Sequence, residues 1–330
     1  MSAIKRREFI ALLGGVAASW PLAAHAQSGG VRKIGVLMGA APSVLGDTYL
    51  AAFSKRLEEL GWINGRNARS DVRWWTGGPE QMRPIVAEML AASPDVIMVF
   101  SNLALSVLKP MAGNVPVVFV GVGDPVGDGF VASLAHPGAN VTGFAGTEAP
   151  MAGKWLEVLK ETAPGLTRAM AIVHLETPAH QAMWSAIRDA APRLGVEVTA
   201  VDVHDAAEIE QATASFASTE SGGIIVLPHA VTWANGDLII ALALRHRMPA
   251  IYATEGSVTS GGLVSYGLDF VHSFRQTAEY VDRILRGAKP ADLPVQQPSK
   301  FKLTFNLKTA KAIGVGIAPT LLNRADEVVE

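Results

Sequence analysis

From Arg32 onward, short β-rich runs alternate with amphipathic stretches, and the alternation is completed twice in tandem. With a length suited to two domains, this predicts an α/β protein of two Rossmann-like lobes, each a parallel sheet covered by helices, joined by a hinge. No repeat with a period of about 20–50 residues is present, so a solenoid is excluded.

In the first unit, strands are expected over 33–38, 68–75, 96–100, 117–122 and 141–144. Between the first two, a helix over 48–60 places Leu50, Phe53, Leu57 and Leu60 on one stripe, and Gly61 stops it. After a helix over 151–161, the second unit reads as strands over 169–173, 196–201, 223–227, 250–252 and 263–266. Helices over 178–194, 208–218 and 238–247 separate them. The Pro-rich stretch 290–298 reads as a surface connector, followed by a strand over 301–306 and two short helices. Trp155 and Trp184 fall within helices and are expected in the core.

The N-terminus reads as an export signal. Lys5, Arg6 and Arg7 precede an uncharged run from Phe9 to Trp20, and Ala24-His25-Ala26 supplies the small-x-small pattern of a cleavage site. Such a run is shorter than the roughly 20 residues needed to span a bilayer. Residues 1–26 are therefore expected to be removed, and Arg6-Arg7-Glu8-Phe9-Ile10 resembles a twin-arginine signal. Cleavage would leave 25 basic and 29 acidic residues, a mildly acidic chain with no electrostatic footprint for nucleic acid. No later apolar stretch approaches transmembrane length; the densest, 238–244, is seven residues long. The mature chain is expected not to insert into a membrane.

The sequence contains no cysteine, which removes disulfides, thiolate metal sites, a cysteine nucleophile and a lipoprotein anchor. It also contains no phosphate loop, nucleophile elbow or H-E-x-x-H motif. Gly121-Val122-Gly123 is followed by Asp124-Pro125 and reads as a tight turn, not a dinucleotide site. Neither a cysteine framework nor a helical i,i+4 ligand pair signals a metal, so no metal or cofactor is expected. Arg245-His246-Arg247 reads as a solvated helix end.

Small polar residues instead gather at the C-terminal ends of the expected strands, where open α/β sheets bind ligands. Ser43 follows the first strand, Ser101 and Asn102 the third, and Asp124 the fourth. Trp75, ending the second, is placed to wall a cleft. In the second lobe the matching places are His174, His229, Tyr252 and Glu255. The helix after Phe100 starts near Asn102, so unpaired N–H groups and the positive end of its dipole converge there, a cradle suited to a carboxylate. Asp124 and Glu255 are the carboxylates nearest to any ligand amine. Ser101 is equally well suited to capping that helix alone.

Several segments carry a resemblance over almost the whole chain: RREFIALLGG (6–15), LGW leading to GRN (60–67), PVVFV (116–120), GDPV (123–126), FVASL (130–134), NVTGF (140–144), GGLVSYG (261–267), YVDRILRG (280–287) and NLKTAK (306–311). Together they resemble the ABC-transporter substrate-binding proteins of the tryptophan-type family, whose fold is the type I periplasmic binding protein. The resemblance implies a ligand in the hinge cleft, lobe closure on binding, and docking to a membrane permease. It also implies crossings near 140–144 and 263–266, giving a first lobe of 27–143 completed by 267–298 and a second of 144–266 completed by 299–330. The expected function is a periplasmic receptor of an ABC importer for a small polar or carboxylate-bearing ligand, such as an amino acid, without turnover. A ligand sensor for a membrane signalling protein and an exported hydrolase stay open as alternatives, although no nucleophile–base constellation supports chemistry. The chain departs from the family at His174-Leu175-Glu176, where an Asn-Pro pair is usual. It departs again at His229, usually acidic, and in 253–256, which lacks the usual bulky aromatic run.

Overall fold

The computed structural model describes residues 30–75, 77–146, 149–217 and 222–330; the expected export signal lies outside them. Two sheets organise the chain. The first contains β1 (Arg32–Met38), β2 (Ala68–Trp74), β3 (Val96–Phe100), β4 (Val117–Val122) and β5 (Val141–Ala145), all parallel in the order β2-β1-β3-β4-β5. β3, β4 and β5 are almost continuously apolar because helices cover both faces, whereas the edge strand β2 carries Arg69, Asp71 and Arg73.

One face of this sheet is covered by α2 (Pro79–Ala91) and α3 (Asn102–Met111), through Met82, Val86, Met89, Leu105 and Leu108. The other is covered by α1 (Val44–Glu59), through Tyr49, Phe53 and Leu57, and by a helix from far along the chain, α10 (Phe270–Leu285). The spacing of Phe274, Ala278, Val281 and Leu285 lays one apolar stripe of α10 on β3, β4 and β5.

The second sheet contains β6 (Arg168–Val173), β7 (Glu197–Asp202), β8 (Gly222–Val226), β9 (Ala250–Tyr252), β10 (Val264–Leu268), β11 (Phe301–Asn306) and β12 (Glu327–Val329). Its order is β12-β11-β10-β9-β8-β6-β7, and β10 with β11 is the antiparallel pair in an otherwise parallel ladder. α4 (Pro150–Thr162) and α5 (Pro178–Leu194) pack on one face around the fully buried Trp155, whose indole N–H donates to the Tyr266 carbonyl at 2.6 Å. α6 (Ala206–Ala217) and α8 (Gly236–Arg245) cover the other face. Short helices α7 (Ala230–Ala234) and α9 (Glu255–Thr259) follow β8 and β9, and α11 (Leu307–Ile313) and α12 (Pro319–Leu322) precede β12.

The chain leaves the first sheet after Ala145 and resumes in α4 at Pro150. It returns between Leu268 and Phe270, then re-enters the second sheet at Phe301. Residues 141–144 and 264–266 therefore lie within β5 and β10, and the chain leaves each sheet a few residues downstream. The Pro-rich connector is also more than a surface link. Leu293 and Val295 are buried, the Thr142 hydroxyl donates to the Leu293 carbonyl at 2.5 Å, and Gln296 bridges Phe144 through the Ala145 N–H at 2.8 Å and the Gly143 carbonyl at 2.9 Å. This segment covers the open edge of β5.

Gly143 (φ 156°) lies in β5 opposite Phe119, and a Cβ there would stand 2.1 Å from the Phe119 carbonyl oxygen and 2.6 Å from its nitrogen. Backbone cannot yield as a side chain does. Gly143→Ala is expected to destabilise the protein by about 3 kcal/mol, the upper part of the usual overpacking range, read as a lower urea midpoint.

Candidate functional site

The C-terminal ends of the two sheets face each other. A Cβ on Gly256, after β9, would lie 2.4 Å from the Leu45 side chain, after β1, so the two lobes meet there. Tyr49 on α1 belongs to the same junction. Burial, and then the charges of Glu255 and Asp269, push its hydroxyl well above the ordinary tyrosine value.

Ser43 is the exposed N-cap of α1 and accepts from the Gly46 N–H at 3.1 Å. Ser101 caps α3 with φ 91°, accepting from the Ala104 N–H at 3.4 Å. Gly39 gives its hydroxyl room, since a Cβ there would stand 2.3 Å from Ser101 Oγ. The N–H groups of Asn102 and Leu103 have no intrahelical acceptor, as the first turn of a helix requires, and they open toward the cleft end of β3.

The Asn102 side chain is committed to the loop after β4: it donates to Asp128 at 2.6 Å and accepts from the Gly123 N–H at 3.0 Å. Burial pushes the Asp128 carboxyl up against that bond from Asn102, and the Asp124 charge adds to the rise. Asp124 is exposed and accepts from the Gly127 N–H at 2.8 Å, holding its own turn. Trp75 does not wall the cleft. Its ring is buried with Met82 and Val86, and its Nε1 has no partner among the described residues.

In the second lobe, His174 follows β6 and His229 follows β8, and the two rings stack with centroids 4.3 Å apart and planes at 26°. Two further histidines, which the sequence did not single out, complete the group. His204, after β7, lies 5.1 Å from His174, and His180, in the first turn of α5, lies 5.3 Å from His229. His204 pairs with Glu208 at 3.0 Å, an i,i+4 contact that the sequence expectation overlooked because His204 precedes α6. Among the described residues, no group of three His, Asp or Glu is placed to hold a metal.

Tyr252 points into the core beside Ile240 and Met248, only 3% exposed, and its hydroxyl rises through burial; as placed, it does not face a ligand. Glu255 begins α9 and pairs with Lys302 at 2.5 Å, which in turn pairs with Glu327 at 2.6 Å. One cation thus serves two carboxylates, and the trio keeps a net negative charge.

Sequence reasoning also missed an aromatic cluster at the root of the cleft. Phe100 ends β3, Phe270 begins α10, and their rings meet edge to face at 5.6 Å. Tyr49 lies 5.4 Å from both Phe270 and Phe274. Gly121 (φ 74°) admits Phe100 and Phe270, since a Cβ there would lie 2.9 Å and 3.3 Å from their rings. Edge-to-face pairs of this kind favour apolar, flat ligand surfaces.

Two α/β lobes, facing C-terminal sheet edges and repeated crossings define the fold of the type I periplasmic binding proteins. A model for ABC transporter substrate binding proteins matches residues 43–329, and the chain belongs to that family. A tyrosine-binding protein of Clostridioides difficile (strain R20291) is 24% identical over 267 residues, covering 81% of this chain and 76% of the relative. An ABC domain in complex with L-Trp from Streptococcus pneumoniae superposes with a TM-score of 0.81 at 23% identity, covering 91% of this chain and 100% of that one. The ligand-free, open substrate binding protein with adhesive properties from Clostridium difficile gives 0.71 at 22% identity, covering 91% and 99%. The family is one of binding proteins, in line with the missing catalytic motifs.

His180 and His229 carry a pH dependence opposite in sign to that of His204, which its hydrogen bond to Glu208 raises. Burial, and then His174 and His180, lower His229 to about 4, and burial also lowers His180. Both bind protons more tightly in the unfolded chain, where histidine titrates near 6.5. Their stabilisation is therefore present above that value and is lost as pH falls through 6.5 toward 4. His229 is half-exposed, so solvent holds its share to about 1 kcal/mol or less. The thermal midpoint should fall by about 2–4 °C between pH 7 and pH 5. The fall should shrink in His229→Asn, and an equal fall in that variant would contradict the assignment.

Proposed function

We propose that this chain is the exported receptor of an ABC importer, working in the periplasm and delivering its ligand to a membrane permease. The ligand is a carboxylate-bearing amino acid with an aromatic or similarly flat side chain. The observation that carries the reading is the apposition of the two sheet edges at Leu45 and Gly256, with the Tyr49–Phe100–Phe270 cluster at its root. Family membership and the printed ligands of two relatives, tyrosine and L-Trp, support the same class.

In this reading the ligand carboxylate sits against the Asn102 and Leu103 N–H groups at the start of α3. Oriented amides hold an anion there without a second charge in the cleft. Ser101 shapes the cradle through its positive φ, and Asn102 ties it to the loop after β4. The ring packs on the aromatic cluster, and closure about the crossings excludes water. First and second lobes divide near Ala145, Leu268 and Phe301.

Calorimetric titration with L-tryptophan and L-tyrosine tests the ligand class. At least one should bind with a Kd near or below about 1 µM, equivalent to roughly 8 kcal/mol. Ser101→Ala with Asn102→Ala should weaken it at least about tenfold, and small-angle scattering should show a smaller radius of gyration with ligand. Unchanged affinity in the folded double variant would sink the cradle, and an unchanged radius at saturation would sink closure.

Export is tested separately by the intact mass of the periplasmic form. That mass should begin at Gln27, and a mass retaining the run from Phe9 to Trp20 would refute processing.

A further inference from the structure

Four histidines from four elements meet at one end of the second sheet, and their hydrogen bonds fix where the protons reside. His180 is buried and fully used. Its Nδ1 accepts from the His174 N–H at 2.9 Å, and its Nε2 faces the Pro228 carbonyl at 3.2 Å. A carbonyl only accepts, so His180 is neutral with its proton on Nε2. This ring pins together the turns after β6 and β8 that carry His174 and His229.

His229 is held in a matching way. As the N-cap of α7, its Nδ1 accepts from the Val231 N–H at 3.3 Å, while its own N–H donates to Thr232 Oγ1 at 3.0 Å. An accepting Nδ1 cannot carry a proton, so the neutral ring bears its proton on Nε2. Burial, then His174 and His180, hold the ring neutral at neutral pH. Among the described residues no acceptor meets that Nε2–H, and His229 is only half-buried. A proton on Nε2 also removes the lone pair that a metal would need. The ring cannot swing freely, because His174 stacks on its face at 4.3 Å.

We infer that His229 Nε2–H is the second lobe's hydrogen-bond donor to the ligand, aimed at an acceptor oxygen such as a carboxylate, carbonyl or phenol oxygen. This rests on the receptor reading above and adds to it: one lobe offers backbone amides, the other a single uncharged donor in fixed orientation. A neutral donor demands an acceptor from the ligand and supplies no charge to attract an anion. The second lobe therefore selects by hydrogen-bond pattern. His174 acts through His229 as a positioning residue, and His180 through the turns it pins.

Two substitutions separate this role from capping. The Asn amide reaches about as far as His Nδ1, so His229→Asn keeps the cap and loses the outer donor. The Gln amide reaches about as far as His Nε2, so His229→Gln keeps a donor and loses the cap. L-tyrosine and L-tryptophan are the probes, titrated into each folded variant, with urea midpoints measured alongside. His229→Asn should keep its midpoint and lose at least about tenfold in affinity; His229→Gln should lose stability and stay within about threefold of the parent. The reverse pattern, or unchanged affinity in both, overturns the inference. Nitrogen-15 shifts of the imidazole in the free protein at pH 7 give a reading independent of ligand. A neutral ring protonated on Nε2 supports the inference, and a ring protonated on Nδ1 or on both nitrogens overturns it. If neither amino acid binds the parent protein, the aromatic ligand class falls, and the nitrogen shifts alone decide the donor.

Discussion

The packing of α10 on the first sheet is the constraint on which the rest of the molecule depends. One face of β1, β3 and β4 is sealed half by α1 and half by this helix, which begins more than a hundred residues after β5 ends. Phe274, Ala278 and Val281 are fully buried, and each large side chain of that kind is worth roughly 1.5–3 kcal/mol. The rim is tied as well: Trp62 Nε1 donates to Asp282 at 2.8 Å, and Arg286 donates to the Leu60 carbonyl at 2.9 Å. Neither lobe can complete its core from contiguous chain. The chain must therefore cross between the lobes, and those crossings bring two sheet edges face to face.

The same re-entry builds the root of the cleft. Phe270 opens α10 immediately after the return crossing, against Phe100 at the end of β3. Asp269, between β10 and α10, caps the helix by accepting from the His272 N–H at 2.8 Å and pairs with Lys300 at 3.0 Å on the next crossing. Burial acts upward on this carboxyl, but those partners hold it below its ordinary value. Adjacent crossings are thus clamped to each other by charge, while the aromatic rings beside them supply apolar surface.

The charged and amide side chains at the cleft are engaged by neighbours. Glu255 shares Lys302 with Glu327, Asp124 holds its own turn, and Asn102 spans from α3 to the loop after β4. Under the proposed reading, what meets the ligand is directional: amide N–H groups on one side, an imidazole N–H on the other. Such groups discriminate by geometry, because a mispaired polar atom in a closed cleft costs more than a well-paired one gains.

The sequence by itself determined the alternation of strands and helices and the sheet edge that carries the candidate residues. Strand and helix alternation is a local signal set by side-chain period, and the residue after each parallel strand lies at one end of the sheet whatever the partner strand is. Ser43, Ser101, Asn102, Asp124, His174, His229 and Glu255 could be placed on that edge for this reason. Direction and partnership were decided only in three dimensions. Trp75 follows β2 and Tyr252 ends β9 beside the site, yet their rings turn into the helical layers, since a one-residue change along a strand reverses the face. The aromatic cluster joins Tyr49, Phe100 and Phe270 from distant parts of the chain, and the histidine group joins His174, His180, His204 and His229. No periodicity links those positions, because their proximity comes from strand order, with β8 beside β6 and β6 beside β7. Which histidine nitrogen carries the proton depends on a neighbour's carbonyl or N–H, a property that exists only once the loops have been brought together.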